Sequence, residues 1–266
     1  MKDYQDGIVT PIVGVTYPEY VAWDLNLRGE VIDSIPSKSK RKFLKKAEEI
    51  LFDNSISFEV TTIDSKQHFE LLIEFHNRCH IEKQHDIITN CEWYFINLSR
   101  GRVMECLRLV KAGQLVGLKI YSYDSTGFYF SYKSTLREFD RLLNLGLILD
   151  FLSFKRAKEL GYSKLCIGKE KNLYGLFTQI SVYSYKVSLG LEIRSAFGSK
   201  INAIDFADQR LNAYLIMLCT INGKQRLINV IPDPIQNSIR DQVHSPINIQ
   251  IERAGFKELS SLQGTL

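Results

Sequence analysis

The chain has 266 residues, 24% of them charged and 45% hydrophobic, with a formal net charge of +4. That length suits one large domain or two small ones, and the composition is that of a globular chain with a sizeable core. So mild a charge does not by itself call for nucleic acid. No stretch approaches the roughly 18 continuous apolar residues of a membrane span. The opening "MKDYQDGIVTPIVG" lacks the long apolar run of a signal peptide. The five cysteines (Cys79, Cys91, Cys106, Cys166, Cys219) stand at spacings that fit neither a zinc knuckle nor a redox dithiol. The expectation is a soluble, cytoplasmic protein with free thiols and no metal.

In chain order, residues 1–36 are broken into short extended pieces by Pro11, Pro18 and Pro36. "SKSKRKFLKKAEEILFD" has the spacing of one amphipathic helix, with Ser37 or Ser39 as its cap and Phe43, Ala47, Ile50 and Leu51 on the apolar face. Its other face carries Lys38, Lys40, Arg41, Lys42, Lys45 and Lys46. "ISFEVTTI" alternates as a strand, and "SKQHFELLIEFHNRCHIEKQ" is a second amphipathic helix. "MECLRLVKAGQLVGLKIYSYD" has two extended runs around Ala112-Gly113 and predicts a hairpin, continued by a third strand in "GFYFSYKST".

"LLNLGLILDFLSFKRAKELGY" is a long helix with basic residues near its end and Gly161 past it. A short strand "SKLCIG", a helical stretch "NLYGLFTQISVYSYKVSLG" and a strand "LEIRSAFG" follow. Asn222-Gly223 lies between two β-rich runs and signals another hairpin. Residues 233–266 are polar and weakly patterned. Antiparallel hairpins mixed with strand–helix–strand segments predict an α/β (α+β) domain, with a mixed sheet covered by helices and a C-terminal hairpin extension.

The succession strand, turn, long helix, strand, helix, strand resembles the C-terminal half of the GNAT acyltransferase fold. Two stretches carry the resemblance: Arg141-Leu142-Leu143-Asn144-Leu145-Gly146, similar to the family's Gln/Arg-x-x-Gly-x-Gly/Ala pyrophosphate motif with Asn144 for the middle glycine, and "YSYKVSLGLEI". The basic helix, "FEVTTI", the helix to "FHNRCH" and Tyr185-Lys186 before Gly190 resemble the Fem-type aminoacyltransferase branch. The resemblance spans residues 37–197, flanked by an N-terminal segment (1–36) and a C-terminal extension (198–266).

It implies an N-acyltransferase that moves an acyl or aminoacyl group from a thioester or ester to an amine, with acyl-CoA as the favoured co-substrate and no tightly bound cofactor. Arg141, Asn144 and Gly146 would then cradle a donor phosphate at a helix N-terminus, where unpaired N–H groups and the helix dipole suit an anion. Backbone groups of Phe130, Ser131 and Tyr132 would pair with the donor's amide chain, and Asn172 and Tyr174 would stand where it emerges. Strict alternation puts Phe128, Phe130 and Tyr132 on one face and Tyr129, Ser131 and Lys133 on the other.

Lys186, where many members of the fold have tyrosine, and its neighbour Tyr185 are the catalytic candidates. His80 and His85 are candidates for an acceptor pocket. His76 and His80, at i and i+4 with Cys79 nearby, have a metal-compatible spacing that no further ligand completes. Glu82, Asp86 and Glu92 are possible bases, and Asn172 is equally a helix cap. The basic helix offers a contact for aminoacyl-tRNA or an acyl-carrier protein, or is simply a solvated face. Two other classes stay open: a binding module that kept the fold without the chemistry, and an RNA-binding protein.

Overall fold

The computed structural model describes residues 2–5, 8–11, 15–82, 89–175, 178–204, 215–221, 224–230 and 256–258. The chain divides into two compact units, one of Leu25–Gly168 and one that joins Met1–Asp24 to Lys169–Leu266. These boundaries differ from the expected 36/37 and 197/198, because the N-terminal strands pair with segments from the C-terminal third.

Strands β1 (Lys2–Gln5) and β2 (Ile8–Pro11) form an antiparallel pair. They are followed by β3 (Val15–Pro18) and β4 (Tyr20–Asn26), whose residues Val21 to Leu25 are all buried. After a short 3₁₀ turn (Val31–Ser34) the expected basic helix begins, capped by Ser37, whose Oγ accepts from the Lys40 N–H. It is two helices, α1 (Lys38–Leu44) and α2 (Ala47–Asp53). Like charges at i and i+4 (Lys38 and Lys42, Arg41 and Lys45, Lys42 and Lys46) work against one continuous helix here.

The contiguous unit is built on a mixed sheet. Its strands β5 (Ile56–Thr62), β6 (Val103–Lys111), β7 (Gln114–Asp124) and β8 (Gly127–Thr135) pair antiparallel in sequence order. Then β9 (Lys164–Lys171) joins β8 in parallel. Helices α3 (Lys66–Glu82) and α4 (Glu92–Ser99) lie on one face, with α3 meeting β8 through His76 and Ser134 and α4 meeting β7 through Asn97 and Ser122. Helix α4 falls where no element was expected. A further unexpected helix, α5 (Arg137–Leu143), follows β8.

The long helix, α6 (Leu145–Glu159), covers the opposite face, with Phe154 edge-on to Phe130 and Leu149 tight against Gly117. Two buried ionic contacts fix α6 to the sheet. Asp150 accepts from Lys119 of β7 and from Lys133 of β8, and Arg156 forks onto Glu105 of β6, which also accepts from the Tyr121 and Tyr123 hydroxyls. Burial alone would raise the Asp150 pKa, but the two ammonium groups outweigh it and hold the carboxyl far below the usual range.

Alternation along β8 is broken. Tyr132 faces Ile120 and Phe130 faces Tyr121, which leaves Ser131 as the extra residue of a bulge. Phe128 and Phe130 therefore point to the α6 side with Lys133, whereas Tyr132 and Ser134 point to α3. The expected grouping of Phe128, Phe130 and Tyr132 on one face is corrected by that single residue.

In the discontinuous unit, α7 (Ile180–Ser188) is shorter than expected. Residues 172–175 are drawn into strand-like bonds instead, with Leu173 and Gly175 at positive φ. Strand β10 (Glu192–Ser195) pairs with β4, and β11 (Ile201–Ile204) with β3. Strands β12 (Leu215–Ile221) and β13 (Lys224–Val230) form the expected hairpin, with Ile221 opposite Lys224, and β14 (Phe256–Glu258) adds to β13. Asn222 and Gly223 lie outside the described residues. Among the described residues no helix is long and apolar enough to cross a membrane.

Lys40, expected on a solvated basic face, turns instead toward Asp150 and Lys133. Burial lowers its pKa from 10.5 to about 8, with Asp150 opposing and Lys133 adding to the shift. Two outcomes follow. Asp150→Asn leaves Lys119 buried without its anion, and urea unfolding should show a loss of about 3 kcal/mol or more. Because the Lys40 pKa is lower folded than unfolded, its protonation costs the fold stability at low pH, and that cost fades as pH rises from about 8 toward 10.5. Acetic anhydride labelling followed by mass should accordingly show Lys40 reactivity with a midpoint near pH 8; a midpoint at the ordinary lysine value would contradict the buried placement.

Candidate functional site

The residues expected to serve chemistry divide between the two units. In the contiguous unit, the parallel register of β8 with β9 runs over Phe128–Leu165, Tyr129–Cys166 and Phe130–Ile167. It ends where the bulge begins, while β8 itself continues to Thr135. Ser131 and Tyr132, expected to offer backbone groups to a donor, thus lie just beyond the paired stretch, with Phe130 as the last paired residue. The Phe130 side chain is buried beneath the Lys119 ammonium, 3.8 Å from the ring centroid, so it belongs to the core.

The phosphate motif has a different geometry from that expected. Arg141 lies in the last turn of α5, and Asn144 takes the left-handed conformation (φ 53°, ψ 44°) between α5 and α6. Asparagine tolerates that region better than most residues, which explains why a glycine is not required there. The Gly146 N–H, expected to face a phosphate, donates to Asp140 Oδ1 at 2.7 Å. A Cβ on Gly146 would stand 3.2 Å from that oxygen. The glycine makes room for the chain's own carboxylate, which already complements the start of α6. Arg141 itself is exposed and lines a surface cleft with Arg78 and Arg137.

His80, on α3, packs at a tilt against His76 with ring centroids 4.2 Å apart, and His76 holds the Ser134 hydroxyl at 2.6 Å and lies against Tyr132. Burial raises the Tyr132 phenol to about 12, so it stays protonated at neutral pH. Among the described residues no cluster of His, Cys, Asp or Glu is arranged for a metal. His85 and Asp86 lie outside the described residues.

The discontinuous unit holds the denser constellation. Lys186, on α7, donates to Glu170 Oε2 at 2.6 Å, and both side chains are mostly buried. The other carboxylate oxygen, Oε1, accepts from Trp23 Nε1 at 2.7 Å and from the Tyr174 hydroxyl. The Trp23 N–H also reaches the Tyr174 oxygen, the Lys186 ammonium lies 5.3 Å from the Trp23 ring, and Tyr183 packs edge-on against Trp23. Burial first, and then the Glu170 charge, push the Tyr174 pKa far above the usual phenol value. Tyr174 is thus a fixed, protonated donor.

Tyr185, next to Lys186, is half-buried, and its carbonyl accepts from Ser188 Oγ. Asn172 is neither a helix cap nor an open ligand contact. Its amide donates to the carbonyls of Pro18 and Leu218, and its oxygen accepts from the Leu218 N–H, which ties β3 to β12. Glu170 had no sequence signal, since its partner Trp23 is 147 residues away.

No family model matches the chain, and no curated protein matches its sequence significantly. Among solved structures, FemX aligns with a TM-score of 0.50 at 10% identity, over 69% of this chain and 61% of FemX. A tandem GNAT protein from the clavulanic acid biosynthesis pathway aligns at 0.42 and 16% identity, over 69% of this chain and 51% of its own. The C-terminal DUF2156 domain of an Agrobacterium fabrum protein assigned as a lysylphosphatidylglycerol synthetase aligns at 0.47 and 12%, over 73% and 63%. The chain thus spans less than two thirds of each of these proteins. With FemX it shares a fold and little sequence: this is a chain with the GNAT-like fold.

Proposed function

We propose that the protein is a transferase that moves an acyl or aminoacyl group from an activated ester or thioester to an amine. The observation that carries this reading is Lys186. It stands in the closing helix of the fold, at the position where the resemblance places a catalytic group, and Glu170 fixes its ammonium while Tyr174 and Trp23 fix the carboxylate in turn. The likeness to FemX supports it at the level of the fold. In the reaction, the acceptor nitrogen attacks the donor carbonyl, the carbonyl oxygen becomes an oxyanion, and collapse forms the amide. The thiol or hydroxyl leaves with the proton that the amine gives up. An oriented cation is suited to the oxyanion, because a preorganised charge costs no reorganisation when negative charge develops.

The nature of the donor is the second question. Acyl-CoA is the expected co-substrate, but Asp140 on the Gly146 N–H puts a negative charge where its pyrophosphate would sit. That contact favours a donor with no pyrophosphate at this position, such as aminoacyl-tRNA or an acyl-carrier protein. The exposed Lys38, Lys42, Lys45 and Lys46 of the basic stretch are available to such a partner.

Two measurements test the reading. Lys186→Ala should lower kcat by roughly 10²-fold or more, with KM little changed, and should lower the melting temperature because the mostly buried Glu170 loses its cation; full turnover in a folded Lys186→Ala protein would remove the proposed role. Coenzyme A and acetyl-CoA should leave the melting temperature of the wild type unchanged. A saturable rise that Arg141→Ala abolishes would restore acyl-CoA as the donor.

A further inference from the structure

The charged groups of the contiguous unit include five that share one surface cleft of about 600 Å³. Arg78 and Glu82 come from the last turns of α3, and Arg137, Glu138 and Arg141 from α5, with buried Leu136 beside them. Arg137 and Arg141 are four residues apart, so they project from one side of α5. Among the described residues, none of the three guanidinium groups forms an ion pair with Glu82, Glu138 or any other carboxylate. Arg78 is steadied from the side by the Phe75 ring, 5.4 Å from its guanidinium carbon. Cations and anions thus line the same concavity without neutralising one another, in a volume of the size that holds small molecules.

A simple anion would profit from the arginines and be repelled by the two glutamates. A ligand with charges of both signs would use all five. We propose that this cleft binds a zwitterion of the amino-acid or peptide-terminus class, with its carboxylate in the fork of Arg137 and Arg141 and its ammonium on Glu82 or Glu138. Guanidinium groups recognise carboxylates through paired hydrogen bonds, and the glutamates supply acceptors for an ammonium. The binding stands on the cleft alone.

The test is isothermal titration of the full chain with the proteinogenic amino acids, glycylglycine, the corresponding carboxamides and inorganic phosphate. At least one zwitterion should bind saturably, and its carboxamide should bind roughly tenfold more weakly or worse. Arg137→Ala with Arg141→Ala should abolish binding. Glu82→Gln with Glu138→Gln is the deciding variant: it should weaken the zwitterion and strengthen phosphate. The four substituted positions are exposed and without ion pairs, so melting temperatures should stay near wild type.

If the glutamine variant tightens zwitterion and phosphate alike, the cleft is a plain anion site and the proposal falls. It falls equally if no zwitterion binds. Lys186→Ala should keep the affinity while losing turnover, and its loss of binding would move the ligand away from this cleft. Binding that persists in a protein with no transfer activity would leave the cleft assigned and the transfer reading refuted, so the two failures are separable.

Discussion

A single extra residue in β8 governs how the contiguous unit is assembled. Because Ser131 has no partner on β7, the strand changes face halfway along its length. Before the bulge it supplies aromatic rings to α6, and after it Lys133 reaches the same helix while Tyr132 and Ser134 turn to α3. A regular strand would have sent Lys133 to the α3 face and left Asp150 with one ammonium instead of two. The same bulge coincides with the end of the parallel register to β9, so core packing and the opening of the strands are set by one local irregularity.

The α6 face shows how charge is used to specify rather than merely to stabilise. Asp150 and Arg156 lie on one helix with opposite signs, each bound to complementary groups on different strands. Apolar side chains in those places would bury as well, but they would tolerate a helix shifted along its axis. Ionic pairs with two and three partners each do not, because any slip strands a charge in a dry interior. Beside this cluster Lys40 becomes easier to deprotonate, chiefly because it is drawn partly out of water, with the Lys133 charge adding to the effect and Asp150 opposing it.

What could be read from the residues alone had its cause close by in the chain. The hairpin at Ala112-Gly113 is dictated by the dipeptide itself, and Ser37 caps α1 as its side-chain chemistry requires. Helix α6 was visible as an apolar run. What escaped depended on distant partners. The bulge is a property of two strands in register, which neither sequence reveals. Helix α5 buries none of its residues, so it has no apolar signature. The Gly146 environment depends on Asp140 looping back, and Glu170 is defined by Trp23, 147 residues earlier in the chain. Lys186 and Tyr174 were singled out from a resemblance, and their mutual carboxylate was not.

That arrangement of Glu170 has a bearing on the order in which the protein is made. The ribosome delivers Trp23 ahead of Leu25–Gly168, and Glu170, Tyr174 and Lys186 only after the whole of that stretch has been made. The middle of the chain holds its own core and its own ion pairs, and is available to fold as soon as it leaves the exit tunnel. Strands β3 and β4 must wait through that interval with Val21 and Trp23 lacking their strand partners, since β10, β11 and β12 follow it in the chain. The lysine and its carboxylate therefore come together with Trp23 only after Leu25–Gly168 has been made, and a product stalled before Lys186 has no Lys186–Glu170 pair.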